Sequence, residues 1–189
     1  MSLSHNDRYI LYHGTAKKYV KGILKGGFNI STSDTHWMGK GVYFYDEENR
    51  AYSFVKKVRK NATPSVLRAV LEVSKEKILN LVTNEEDKKK FANFIQAQEP
   101  TLNNSIRIKN CNMYNEKERD KCIFLIKCAI FDYYCNLNEI ELAICEHNTH
   151  PGSYKQLVMT SLFIKQDSEV QYCAKTLEII KKIESLRGA

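Results

Sequence analysis

The alternation of hydrophobic and polar residues predicts short strands and helices from the beginning of the chain. The segment 9–13 is rich in β-forming residues and predicts a strand. Thr15 follows at the N-cap position of a predicted helix, which ends at Gly26-Gly27. Val42 to Tyr45 predicts a second strand, and we expect Asp46 to cap a second helix. Apolar residues three and four positions apart form the expected inward faces of these helices: Val20, Ile23 and Leu24, then Ala51, Phe54, Val55 and Val58.

The middle of the chain predicts a half-buried strand followed by a third helix. Apolar and polar residues alternate over 65–74, and residues 78–82 extend the strand. Thr83-Asn84-Glu85-Glu86 has the spacing of a capping box at the start of a helix. We expect Pro100 to end this helix, because proline disfavours helical geometry in the residue before it.

The last part of the chain predicts one long helix and several strands. The helix begins near residue 115, and strands are predicted over 140–145, 157–165 and 169–174, with a loop over 147–152 and an amphipathic segment over 177–186. Strands and helices mix without a regular β-α-β alternation, which favours an α+β fold over a doubly wound sheet. No G-x-G-x-x-G sequence follows a strand, so a Rossmann dinucleotide site is not expected.

Length and composition indicate one globular domain. The chain has 189 residues, of which 43% are apolar and 27% charged. We expect residues 1–189 to form a single domain, with residues 1–8 as a flexible N-terminus or a remnant of protein expression. Residues 1–8 are polar, so we expect no secretory signal. The sequence has no apolar run of about 18 residues, and its six cysteines lack zinc-site spacing. We therefore expect a cytoplasmic protein with reduced thiols and no membrane partner.

The chain is basic, with a formal net charge of +7. Cationic residues cluster over 56–60 and 88–90. This charge permits an anionic partner such as a nucleic acid or a dinucleotide. Solvated helix faces explain the same clusters without a ligand. The cluster at 56–60 also lies at the C-terminal end of a predicted helix, where positive charge is favoured.

Two short motifs carry the candidate chemistry. The first is His13-Gly14-Thr15, at the end of the first predicted strand. The second is Gly39-Lys40-Gly41-Val42-Tyr43-Phe44. A neutral imidazole at His13 can hydrogen-bond a ribose hydroxyl, and Gly14 leaves its backbone groups open to a ligand. Tyr43 offers a flat face for stacking, and His36-Trp37 either rims the same pocket or anchors its loop on the core.

Together these motifs resemble the catalytic core of ADP-ribosyltransferases. The resemblance is to the diphtheria-toxin and poly(ADP-ribose)-polymerase-like branch and its small bacterial members, which carry a His, a Tyr and a Glu or Gln on three separate strands. It covers residues 9–60, continues more loosely over 65–95 and returns at 171–175. It implies a split β-sandwich of two small, mostly antiparallel sheets with flanking helices. It also implies NAD as co-substrate and no metal ion.

The resemblance also implies roles for individual residues. His13 would bind the adenosine ribose of NAD, the backbone of Gly14 would bind the nicotinamide carboxamide, and Tyr43 would stack on the nicotinamide ring. Three further residues are implied near NAD: Thr15 in the first motif, Phe54 as a second stacking ring, and Ala51 as the small residue that admits the ring. Phe54 has the alternative of being a core residue.

The third catalytic position has two candidates, Glu169 and Gln171, which alternate on one predicted strand and so face the same side. Gln171 fits the closing strand of the family better, with Glu169 as a neighbour that orients an acceptor. A Gln there implies transfer of a single ADP-ribose unit to a macromolecular acceptor, either protein or nucleic acid. This activity would fit a toxin or defence effector, and an inhibitor protein could then be a partner. The alternatives are a non-catalytic module that binds ADP-ribose or nucleic acid, and an NAD glycohydrolase.

Overall fold

A computed structural model of the chain describes residues 6–31, 36–108, 116–148 and 168–186. Within these ranges the chain forms seven strands, four α-helices and one 3₁₀ turn at Lys75–Lys77. The strands are β1 (Asn6–Ala16), β2 (Val42–Tyr45), β3 (Pro64–Ser74), β4 (Ile78–Asn80), β5 (Leu142–Asn148), β6 (Ser168–Ala174) and β7 (Ile180–Ser185). The helices are α1 (Lys17–Gly26), α2 (Glu48–Val58), α3 (Glu85–Ile108) and α4 (Glu116–Leu137).

The sheet has the strand order β4-β5-β6-β2-β1-β3-β7, and neighbours are antiparallel except for β4 and β5. The predicted α+β class is confirmed. The sheet is continuous, whereas the resemblance implied two small sheets. The sheet is nevertheless weakly connected at its centre. All residues of β1 and β2 are described, and the two strands pair at one position, Tyr12 with Tyr45. The strands β4-β5-β6-β2 and β1-β3-β7 therefore form two halves with a narrow junction.

Most predicted strands are present, but several differ from the prediction in extent or burial. The first strand begins at Asn6, so residues 6–8 are not a flexible terminus. The strand β3 is buried on both faces rather than one, because it lies between β1 and β7 under helices on each side. The 3₁₀ turn separates β3 from β4, and β5 extends through Asn148 into the segment predicted as loop. The segment 177–186 forms a turn and then β7.

The first two helices are present where predicted, but their caps differ. Ala16 is the N-cap of α1, and Thr15 stays in β1 opposite Ser65. Glu47 is the N-cap of α2, while the Asp46 carboxylate instead contacts Arg50 at 3.2 Å. Neither cap residue makes a side-chain hydrogen bond to the helix, and α1 begins directly where the β1–β3 ladder ends at Ala16.

The third helix is capped by Asn84 rather than Thr83, since its Oδ1 accepts hydrogen bonds from the amides of Glu86 and Asp87 at 3.0 and 3.2 Å. It continues through Pro100 to Ile108, so the predicted end is wrong. A proline inside a helix removes one backbone hydrogen bond, and a helix of 24 residues tolerates that loss. The strand predicted over 157–165 lies outside the described residues, as do residues 149–152.

Helices cover both faces of the sheet. Val20 of α1 packs with Leu11, Phe44 and Leu67 on one face. On the other face, α3 and α4 cover the half formed by β4, β5 and β6, and α2 covers the junction through Ala51. The junction between the two halves is therefore covered by Ala51 of α2 on one face and by the buried ring of Phe28 on the other.

Candidate active site at the junction of the sheet

The His13 side chain bridges the two halves of the sheet. The pairing of Tyr12 with Tyr45 would, if continued, place Gly14 opposite Tyr43, but these residues are not paired. Instead, His13 Nδ1 donates a hydrogen bond to the Tyr43 carbonyl oxygen at 2.8 Å. A side chain therefore replaces a backbone partner at the point where the strands separate.

The same hydrogen bond fixes the tautomer of His13. A carbonyl oxygen only accepts, so Nδ1 carries the proton, and Nε2 of the neutral ring is an acceptor. Burial lowers the pKa of His13, and the positive charge of Arg59 lowers it further against the raising effect of the Tyr43 carbonyl. The imidazole is therefore neutral at pH 7. Its ring stands edge-on to Phe28 and Phe44, with centroids 4.9 and 5.8 Å away.

Gly14 contacts helix α2 directly. A Cβ atom at this position would lie 2.1 Å from the Ala51 carbonyl oxygen and 2.6 Å from Val55 Cγ2. The missing side chain is therefore required by helix packing, whereas the sequence suggested that it leaves room for a ligand. Ala51 is fully buried in this contact, so its small size also serves the approach of α2 to β1.

Tyr43 is partly buried, and its hydroxyl is held by the preceding loop. The hydroxyl donates to the Gly39 carbonyl oxygen at 2.8 Å and accepts from the Met38 amide at 3.0 Å. The ring of His36 lies 5.0 Å from the Tyr43 ring at an angle of 31°. Burial raises the pKa of the Tyr43 phenol, so it remains protonated and acts as a neutral hydrogen-bonding and stacking group.

Gln171 lies on β6 opposite Tyr45, and both of its amide atoms have protein partners. Its Oε1 accepts from Trp37 Nε1 at 2.8 Å, and its Nε2 donates to the Tyr45 hydroxyl at 2.9 Å. Gln171 and Tyr45 are 7% and 3% exposed, so these bonds form away from bulk water. Burial raises the pKa of Tyr45, and the nearby charge of Glu169 adds to the effect. The sequence suggested that Trp37 either rims the pocket or anchors its loop on the core, but nothing in the pattern identified Tyr45.

The remaining candidate residues are divided between surface and core. Phe54 is 42% exposed, so it is not on the inward face of α2 as predicted, and its ring lies 5.8 Å from that of Tyr45. Val58 is exposed as well. Thr15 is buried within the β1–β3 ladder. Glu169 lies two residues beyond the end of the β2–β6 ladder, opposite His147 on β5.

An ion pair that the sequence did not indicate holds the loop before β2. Lys175 Nζ donates to the carbonyl oxygen of Lys40 at 3.0 Å, to that of Met38, and to Asp132 Oδ1 at 2.8 Å. The Asp132 carboxylate also accepts from the Lys40 amide at 3.0 and 3.1 Å. Gly39 has a φ of +72° and lies against Asp132, where a Cβ would be only 2.1 Å from Oδ1. These contacts fix the loop that holds the Tyr43 hydroxyl.

The three proposed catalytic side chains meet at the junction, although not on one face of the sheet. Tyr43, Tyr45 and Gln171 share a face because the antiparallel register pairs Tyr45 with Gln171. His13 points to the opposite face, together with Phe44, and reaches Tyr43 through its carbonyl group. The junction therefore combines an imidazole acceptor, a phenol and a carboxamide.

The same described ranges offer neither a metal site nor a membrane-spanning helix. They contain no cluster of three His, Cys, Asp or Glu side chains that could hold a metal ion. No helix among them has the length and hydropathy to cross a membrane. Cys128, Cys135, Cys145 and Cys173 are free thiols, all buried as core residues, as the sequence predicted for most of the cysteines.

Comparison with known proteins identifies the family. The poly(ADP-ribose) polymerase catalytic domain matches residues 2–122, more than half of the chain, and this match includes His13 and Tyr43 but ends before Gln171. An uncharacterized protein of Methanocaldococcus jannaschii is 40% identical over 55 residues, which are 29% of this chain and 26% of that protein. The matched part is thus about a quarter of the relative's length. The chain belongs to the family of poly(ADP-ribose) polymerase catalytic domains, which are NAD-dependent ADP-ribosyltransferases.

Proposed function

We propose that this protein transfers a single ADP-ribose unit from NAD to a macromolecular acceptor and releases nicotinamide. One observation carries the proposal: within the family-matched segment, His13 of β1 binds the Tyr43 carbonyl of β2 across the unpaired junction. This contact leaves His13 Nε2 as an acceptor for a ribose hydroxyl. It also leaves Gly14, which pairs with Val66 of β3, without a partner on β2, and we assign the nicotinamide carboxamide to this unpaired side.

The chemistry requires a held leaving group and a stabilised sugar. The bond between ribose C1′ and the nicotinamide nitrogen breaks, and a bond forms between C1′ and an acceptor oxygen or nitrogen, whose proton is released to solvent. Positive charge develops on the ribose during this exchange, as in glycoside cleavage. Tyr43 and the exposed ring of Phe54 are the groups for stacking on nicotinamide, and Gln171 is the polar group for the 2′-hydroxyl.

The choice of Gln171 over Glu169 rests on the register of β6. Gln171 is the last β6 residue opposite β2 and is bonded to Tyr45, while Glu169 lies beyond that ladder. A carboxamide cannot act as a general base, which favours the addition of one unit over chain elongation. Assignment to the small bacterial members of the branch stays a prediction.

The direct test is incubation with NAD labelled on the adenosine phosphate, with proteins and nucleic acids offered as acceptors. We expect free nicotinamide and labelled acceptor, and losses of at least tenfold in His13→Ala, Tyr43→Ala and Gln171→Ala. Tyr52→Ala is the matched control, because Tyr52 is 44% exposed on α2 and has no role in the proposed site. Equal activity in all four variants, or no nicotinamide release from the folded protein, contradicts the proposal.

A non-catalytic binding module is the second candidate. It is favoured by the engagement of both Gln171 amide atoms with Trp37 and Tyr45, which leaves this group less free to contact a sugar. Saturable binding of ADP-ribose without nicotinamide release supports this candidate, whereas nicotinamide release without any labelled acceptor supports an NAD glycohydrolase. A cytoplasmic toxin or defence effector with an inhibitor partner is our proposal for the cellular role.

A further inference from the structure

Helix α1 exposes a cationic face. Its ten residues include four exposed lysines and no acidic residue: Lys17, Lys18, Lys21 and Lys25. Together with Val20 and Leu24, three of these lysines line a surface groove of about 500 Å³. The aliphatic parts of lysine side chains can cover such apolar surface while their ammonium groups remain in water.

The end of helix α2 continues this face. Four cations are exposed there: Lys56, Lys57, Arg59 and Lys60. The Lys17 amide donates to the Thr63 carbonyl oxygen at 2.9 Å, which joins the start of α1 to the loop after α2. We call the exposed cations of α1 and of residues 56–60 the α1–α2 basic surface.

The α1–α2 basic surface lacks compensating acids. Within the described parts of the chain, none of its eight cations forms a salt bridge, whereas Arg50, Arg68 and Lys88 elsewhere each contact a carboxylate within 3.2 Å. Lys56 and Lys57 lie in the last turn of α2, where the negative end of the helix dipole favours positive charge. This effect does not explain Lys17 and Lys18, which begin a helix at its positive end and are there disfavoured by the dipole.

An exposed aromatic ring lies where the two parts of this surface meet, with one cation from each part over it. Tyr19 is 45% exposed, with Lys18 Nζ 5.0 Å and Arg59 Cζ 5.5 Å from its ring centroid. Cations that lie over an exposed ring can turn to neutralise phosphates, and the ring face they leave is then available for a base to stack on. A double helix hides the faces of its bases, so the ring suits an unpaired strand.

The surface reaches the proposed active site. Lys17 begins α1 directly after β1, the strand that carries His13 and Gly14. Arg59 directly follows α2, whose Ala51 and Val55 lie against Gly14. A strand bound along these cations would therefore lie next to the two elements that contact Gly14 and carry His13.

We propose that the α1–α2 basic surface binds a single-stranded polynucleotide and holds it as the ADP-ribose acceptor. The acceptor role rests on the proposed function, whereas the binding does not. An anionic lipid surface would also suit the cations, but it gives no role to an exposed ring flanked by them.

Binding is tested without NAD, by fluorescence anisotropy of labelled 20-nucleotide RNA and DNA strands at several salt concentrations. We expect Lys21→Glu/Lys25→Glu to weaken binding at least tenfold and to reduce the salt dependence, because fewer phosphates are neutralised. Lys89→Glu/Lys181→Glu is the matched control, with the same charge change at exposed positions on α3 and β7. Equal weakening by both double variants would mean that net charge alone drives binding, and would overturn the proposal, as would no binding to either strand.

Tyr19 separates base stacking from charge attraction. We expect Tyr19→Ala to weaken binding about tenfold and Tyr19→Phe to retain it, since phenylalanine keeps the stacking face. Two results overturn the assignment of a single strand: no difference between these variants, or tighter binding to duplex or to phosphatidylserine vesicles than to unpaired strands.

The acceptor role is tested with labelled NAD and the same strands. We expect Lys21→Glu/Lys25→Glu to lose label transfer to the strand while nicotinamide release in its absence is unchanged. If strands bind but nicotinamide is never released, the proposed function fails and the surface stands. If nicotinamide is released but no strand is bound or labelled, the surface assignment fails and the activity stands.

Discussion

The substitution Gly14→Ala tests whether α2 really rests on the backbone of β1. The new Cβ would be 2.1 Å from the Ala51 carbonyl oxygen and 2.6 Å from Val55 Cγ2. Ordinary contacts between such atoms are about 3.5 Å, so the helix must move away by roughly 1 Å. Overpacking of this kind costs about 1–3 kcal/mol, and backbone atoms yield less than the end of a flexible side chain. We expect a net loss of about 2 kcal/mol in the free energy of unfolding.

Gly22→Ala provides a matched control in the same chain. Gly22 is exposed within α1, and a Cβ there would meet no atom within 4 Å. Alanine in a helix is more stable than glycine by about 0.5–1 kcal/mol, so we expect this variant to gain stability. The two Gly→Ala substitutions should therefore shift the free energy of unfolding in opposite directions.

Urea unfolding followed by far-ultraviolet circular dichroism measures both variants. For a chain of 189 residues, 1 kcal/mol corresponds to about 2–4 °C in Tm, so Gly14→Ala should melt about 4–8 °C below the native protein. A Gly14→Ala protein as stable as the native one, or equal shifts in both variants, would refute the contact between α2 and β1. The result also bears on activity, because a loss of nicotinamide release in Gly14→Ala then reflects a displaced helix as well as a blocked ligand.

Three further predictions concern the junction and its loop. Folding lowers the pKa of His13, so the native state binds fewer protons than the unfolded state. The free energy of unfolding should therefore fall as pH drops below about 6.5, by up to about 1.4 kcal/mol per pH unit. Urea unfolding at pH 5–8 measures this dependence on pH, which should be shallower in His13→Asn. Trp37→Phe removes the donor to the buried Gln171 Oε1 and should lower the free energy of unfolding by about 1–3 kcal/mol. Since Trp37 also positions this amide in the proposed site, kcat should fall more than KM rises. Unchanged kinetics would contradict the positioning role. Asp132→Ala leaves Lys175 without its carboxylate and should cost about 3 kcal/mol, which Asp132→Asn should restore in part; equal unfolding midpoints for native protein and Asp132→Ala would show that the ion pair does not stabilise the loop.

Local pattern was sufficient for the elements that carry the first two motifs. β1 was predicted from its β-forming residues and β2 from its position after the flanking glycine, while α1 and β3 were predicted from a clear period. The caps at Thr15 and Asp46 were predicted wrongly, because pairing with β3 extends β1 past the residue that would otherwise cap α1. Phe54 has the spacing of a core residue, but the adjoining position on β2 is filled by Tyr45, so the ring remains at the surface.

The contacts that complete the site could not be read from the sequence. Asp132 and Lys175 lie more than 90 residues from Lys40, and no local pattern relates them to the loop they hold. The same holds for the Trp37–Gln171–Tyr45 bonds, which depend on the register of β2 and β6. The motifs indicated which residues matter at the junction, but the alternation of strand faces decides that His13 and Tyr43 point apart.

The position of Trp37 gives the protein a natural optical sensor. It is the only tryptophan of the chain, and its indole N–H is bonded to Gln171 beside the proposed nicotinamide position. Any event that breaks or replaces that bond changes the polarity around one chromophore, so the emission spectrum reports this location without an attached dye. Titration of the unlabelled protein with NAD, ADP-ribose or nicotinamide can therefore distinguish which half of the dinucleotide reaches the indole.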